Sequence, residues 1–293
     1  MHSELNEQNN KKLILIALLS AVTSFFFSFM SAPFIRLFAQ TKAVAFWIVG
    51  IVLVAGLFVS KFDLVAIYVG AIWMTLGLYS RFELQGLNWK KSGILSVISG
   101  LCFAIIGFLF VTKGSVDHQL VKEMTEPIVS SFKQFMPEEK GLETKAILFV
   151  MPGILAATLL SALAVGLVFE SQMFQAFNLK REKLASSLRW LEFRLPDQFI
   201  WISLFAFLFS IIDTPYAMIQ TLAINISVFS LVAYFFQGIA LVEYATRLYR
   251  FGRFSKVLLY MLIFTSVLPL VSFVGIIDYW VDFRRIMRKN IKA

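Results

Sequence analysis

The sequence predicts an all-α fold: a polytopic transmembrane helix bundle of about eight spans, with amphipathic helices at the interface. Three observations carry this. The 293 residues are 59% hydrophobic and include 32 Phe, with a mean hydropathy of +0.78, which is more apolar surface than a soluble protein of this length can hide. The apolar runs approach the roughly 20 residues that a helix needs to cross about 30 Å of hydrocarbon. They are also too long for barrel strands, and a helix satisfies its own backbone hydrogen bonds within one segment. One integral membrane domain is the expectation.

Residues 1–12 form a polar tail ending in Lys11 and Lys12. The run that follows is too long for a signal-peptide core, and no convincing small-x-small site precedes a soluble body, so the first span is expected to be retained. Residues 13–112 hold four spans, read at Leu13–Phe34, Ala43–Ser60, Leu64–Tyr79 and Gly93–Thr112. The third is short.

Residues 113–145 interrupt the spans with a nearly neutral polar segment. Val116, Leu120, Met124 and Ile128 recur every four residues, so amphipathic helices lying on the interface are expected, with a stop at Pro127. The fifth span is read at Ala146–Phe169 within 146–169. A second polar segment, 170–198, predicts an interfacial helix capped by Asn178, starting at Lys180 and lined by Leu184, Leu188 and Leu191, with Pro196 ending it. Residues 199–293 carry the last three spans, Phe199–Ile212, Ala217–Val242 and Val257–Ile277, and a basic C-terminal tail. The sixth span is short.

The net charge of +9 fits loops that set orientation and meet anionic lipid, not nucleic acid. Lys and Arg, with Arg36 counted in a loop, tie between the two faces and leave the orientation open. The single Cys102, inside the fourth span, forms no intrachain disulfide and behaves as a small hydrophobe. The two histidines, His2 and His118, fall in a tail and a loop. No zinc-protease helix, Cys-x-x-Cys pair, nucleophile elbow or phosphate-cradling glycine loop is present. No metal, cofactor or catalytic residue is therefore expected, and an enzyme is not the reading.

Span centres look nearly free of ionisable residues, which speaks against an acidic proton relay. Polar residues in the seventh span are the candidates for ligand binding: Asn225 and Gln237, about 120° apart around the helix, with Gln220 and Glu243 weaker. Interhelical hydrogen bonding is the competing reading. Near the C-terminus, Asp278 and Asp282 lie one turn apart and Arg285 follows Asp282 at i+3, so a helix-end ion pair is expected. Together with Trp280 and Arg284 these residues read as an interfacial anchor, which Tyr279 would join. Ala17, Ala21, Ser24 and Ser28 form a small-residue stripe on the first span, and Gly153, Ala157 and Ser161 another on the fifth. Such stripes serve internal packing or docking of another helix.

The string Leu191-Glu-Phe-Arg-Leu-Pro196, then Asn225, Tyr234-Phe-Phe-Gln237-Gly238 and Gly275-Ile-Ile-Asp278-Tyr-Trp-Val-Asp282-Phe-Arg284-Arg285 resembles the YybS-like family of bacterial multi-pass membrane proteins over residues 185–289. That family is distantly similar to the S components of energy-coupling factor (ECF) transporters. The resemblance implies a small-molecule-binding component of the bacterial cytoplasmic (inner) membrane that depends on a T-type transmembrane subunit and ATPases. Ala17 and Ala21 match the Ala-x-x-x-Ala with which S components meet the T subunit. The eight spans depart from the usual six. The alternative is a membrane scaffold or assembly factor working through segments 113–145 and 171–198.

Overall fold

The computed structural model describes residues 2–26, 28–113, 144–179, 190–212, 215–265 and 268–292. Every element among them is helical: α1 His2–Phe26, α2 Ser28–Thr41, α3 Ala43–Val59, α4 Asp63–Leu84, α5 Trp89–Val111, α6 Thr144–Ala176, a 3-10 turn Trp190–Glu192, α7 Asp197–Ile211, α8 Ala217–Leu248, α9 Arg253–Thr265, α10 Leu268–Val281 and α11 Phe283–Lys292. The chain divides into two compact units, Met1–Ser187 and Leu188–Ala293.

In the first unit α4 packs along α5, α2 along α6, and α3 on α4. Helix α5 shows why lipid is its solvent. It buries Ser92, Ser96, Gly100 and Ala104, one turn apart each, and exposes Ile98, Ile106, Leu109 and Phe110. This polarity is reversed relative to a soluble helix, with small residues where helices meet and bulky apolar ones outside. Gly100 has no alternative, since a Cβ there would stand 2.0 Å from Thr75 Oγ1 of α4. An aromatic cluster sits in the core: Phe46 of α3 stacks on Trp73 of α4 with centroids 4.7 Å apart, and Trp73 Nε1 donates to Ser24 Oγ of α1 at 3.0 Å.

In the second unit α8 packs against α7 and α10. Ser203 Oγ of α7 donates to Ser230 Oγ of α8 at 2.9 Å. Helices α8 and α10 meet through two glycines. A Cβ on Gly238 would stand 2.2 Å from Val271 O, and one on Gly275 would stand 2.1 Å from Tyr234 O, so the two backbones touch where no side chain fits.

Among the described residues, four helices are long and apolar enough to cross a membrane: α4, α5, the Phe149–Ala176 part of α6, and α8. The third span, expected to be short, is the 22-residue α4. The sixth is short, the 15 residues of α7. The first is shared by α1 and α2, and the second is the 17-residue α3. The eighth, Val257–Ile277, runs over α9, described to Thr265, and α10, described from Leu268. Pro269 takes the first turn of α10, where a missing N–H costs nothing.

Helix α6 runs on past Phe169 to Ala176. Asn178, with φ 51°, closes it as Leu179 N donates to Phe174 O at 2.9 Å. A left-handed Asn is a common way to end a helix. The cap it was expected to provide for a helix from Lys180 falls outside the described residues, as do most of the amphipathic segment 113–145 and residues 180–189 of the second one.

Candidate functional site

Two polar centres form, one in each unit. In the first, three ionisable residues from three helices converge within about two turns of those helices' C-terminal ends. Arg36 of α2 is 0% exposed, Glu83 of α4 1% and Glu170 of α6 2%. Arg36 Nη2 donates to Glu83 Oε2 and lies 3.5 Å from Glu170 Oε2. Its Nη1 donates to Ser80 Oγ at 2.7 Å, and its guanidinium carbon stands 4.7 Å from the Tyr79 ring centroid. Gln40 Nε2 reaches the same Glu83 oxygen at 3.3 Å. Arg36 Nε is a buried donor with no partner among the described residues. An arginine fork suits such a site because it stays charged and serves two acceptors at once.

Sequence reasoning missed this cluster. It counted Arg36 as a loop residue and drew spans that stop short of Glu83 and Glu170, and the burial of all three corrects that placement. Helix α2 extends beyond Phe34 to Thr41 and carries Arg36 inside; α4 and α6 likewise extend to enclose the two acids. The available signal was local: Phe34-Ile35-Arg36-Leu37-Phe38 sets a cation within an apolar run.

The second centre gathers residues far apart in the chain. Gln237 of α8 is 1% exposed. Its Nε2 donates to Gly275 O of α10 at 3.0 Å, and its Oε1 accepts from Leu195 N at 3.0 Å. Arg194 Nη2 donates to Tyr279 O at 3.0 Å. Arg284 Nη1 donates to Asp278 Oδ2 at 3.0 Å and its Nη2 to Phe193 O at 3.1 Å. Asp278 Oδ1 accepts from Phe283 N at 3.1 Å and so caps α11. Burial pulls the Arg284 guanidinium below its ordinary range, and the Asp278 carboxylate opposes that shift. The strand of chain at 193–196 is thereby clasped to α8, α10 and α11.

Near the C-terminus the ion pair joins Asp278 and Arg284, where one between Asp282 and Arg285 was expected. Asp282, φ 48°, breaks the helix between them, and Arg285 meets Asp282 through the backbone, N to O at 2.9 Å. Trp280 is 54% exposed. Asn225 is half-buried and donates to Thr221 O of its own helix at 2.8 Å; it stands about 18 Å along α8 from Gln237, so the two do not share one site. Glu243 accepts from Tyr260 Oη at 2.6 Å and from Arg247 Nε at 2.7 Å, tying α8 to α9. On α1, Ser24 faces Trp73, Ala17 and Ala21 are half-buried, and the side chain of Ser28 lies outside those described. Of the fifth-span stripe, Gly153 and Ala157 are buried and Ser161 is half-buried.

The fold and these buried polar centres define an all-helical integral membrane protein. The chain belongs to the family described as Predicted membrane protein (DUF2232), whose profile matches residues 12–279. No curated protein matches the chain, and no solved structure does.

Proposed function

We propose that the protein is a non-enzymatic transport component of the bacterial cytoplasmic membrane, which binds a small molecule among its helices and takes its energy from partner subunits. The observation that carries this reading is the fully buried Arg36–Glu83–Glu170 cluster. Ionisable groups inside a membrane bundle are costly and mark solute or ion sites by default. A buried ion pair adds little to stability over an apolar replacement, so its presence favours a binding role. The orphan Arg36 Nε favours a solute that carries an acceptor group there, because an unmet buried donor costs about 1–3 kcal/mol. Asn225 remains a candidate contact, and Gln237 one through the clasp it holds. The resemblance to YybS-like proteins and ECF S components supports the dependence on a T-type subunit and ATPases, with Ala17, Ala21, Ser24 and Ser28 as the docking stripe.

The test has two parts. The tagged protein is purified from native membranes, and T-type and ATPase subunits are expected with it. Wild type and Arg36→Met are then screened for thermal stabilisation by a panel of vitamins and other small charged solutes, with a hit expected for wild type only. No co-purifying subunits and no stabilising solute would reject the proposal.

A further inference from the structure

The second unit carries a charged surface that neither polar centre uses. Helix α11 reads Phe-Arg-Arg-Ile-Met-Arg-Lys-Asn-Ile-Lys and contains no acid. Arg284 turns inward to Asp278. Arg285, Arg288 and Lys289 are exposed, and their spacing of three and four residues puts them on one face. With Asp282 they line a cleft of about 300 Å³. Among the described residues none of these three cations forms an ion pair; Arg288 rests over the Tyr244 ring with its guanidinium 5.8 Å from the centroid.

What precedes the cleft says which anion it faces. Phe273, Ile277 and Trp280 of α10 are 54%, 44% and 54% exposed and share one face at spacings of four and three. This apolar stripe runs to Trp280, two residues before the break at Asp282, and the basic helix begins just after. Apolar stripe, indole and cations thus follow the order of acyl chain, interface and headgroup in a leaflet. We propose that the cleft lined by Asp282, Arg285, Arg288 and Lys289 binds the phosphate of an anionic phospholipid headgroup, with the acyl chains lying along Phe273, Ile277 and Trp280. Arginine forks match the phosphate oxygens in pairs, and the lysine adds a point charge. The Asp282 carboxylate opposes the bound phosphate and is outnumbered by the three cations of the cleft.

The test uses the full chain in a neutral detergent. Binding of phosphatidylglycerol, of phosphatidylcholine with the same acyl chains, and of inorganic phosphate is measured by native mass spectrometry and by thermal shift. Phosphatidylglycerol is expected to bind and stabilise, the other two are not, and its affinity should fall as salt rises. The triple variant Arg285→Gln/Arg288→Gln/Lys289→Gln should bind phosphatidylglycerol roughly a hundredfold more weakly and melt like wild type without lipid. Equal binding of the two lipids, binding of inorganic phosphate as tight as that of the lipid, or undiminished lipid binding by the triple variant would each overturn the proposal. If the triple variant does not fold, the wild-type salt titration decides, and an affinity indifferent to salt overturns it.

Discussion

Arg284 Nη1 meets Asp278 Oδ2 at 3.0 Å across a helix break, six residues apart in the chain. In a continuous helix that spacing turns the two side chains away from each other, at about 600° of rotation. The left-handed Asp282 interrupts the helix between them, and the two side chains meet. Both are buried, so removing one strands the other. Asp278→Ala is expected to cost about 3–5 kcal/mol, and Asp278→Ala/Arg284→Met to recover most of that loss. Thermal melts of the single and double variants in one detergent check this; equal losses in both would deny the coupling.

Gln237 holds both ends of its amide in use, so the choice of replacement discriminates. Gln237→Leu leaves Leu195 N and Gly275 O without their partner and is expected to cost about 2–4 kcal/mol. Gln237→Glu keeps an acceptor for Leu195 N but sets a carboxylate against Gly275 O, and should cost at least as much. A melting temperature unmoved by Gln237→Leu would show that the clasp contributes nothing.

Two glycines predict opposite signs. Gly275→Ala forces a Cβ to within 2.1 Å of the Tyr234 carbonyl unless α8 and α10 part, and is expected to destabilise by about 1–3 kcal/mol. At Gly56 of α3 a Cβ meets nothing within 4 Å, so Gly56→Ala should stabilise by up to about 1 kcal/mol through helix propensity. Parallel denaturation of the two variants settles the comparison.

Cys102 is exposed on α5, on a helix whose outer face is Ile, Leu and Phe. In intact membranes it should resist both an apolar maleimide and a charged, membrane-impermeant one, because the reactive thiolate does not form in hydrocarbon, and both should label it after denaturation in SDS. Rapid labelling by the charged reagent in intact membranes would contradict the lipid-facing position.

The fold class was legible in the sequence because lipid imposes a single rule, long apolar runs, that any window of residues reveals. The residues Arg194, Leu195, Gln237, Gly238, Gly275, Asp278 and Arg284 stood out in the sequence as parts of one motif string. Their meeting was not legible, since Leu195 and Gln237 are 42 positions apart and nothing local encodes that pairing. Arg36 was misplaced for a related reason. A charge near the end of an apolar run looks like a loop residue until its partners are known, and Glu83 lies 47 positions downstream.

The Arg36–Glu83 pairing also sets an order of events during biogenesis. A ribosome delivers Arg36 to the insertion machinery 47 residues ahead of Glu83, a lag of roughly 2–10 s at ordinary elongation rates. Throughout that interval the newborn segment carries a cation whose entry into hydrocarbon costs about 2.5–3.5 kcal/mol. The pair can form only once α4 has been made, so until then Arg36 goes without its Glu83 partner.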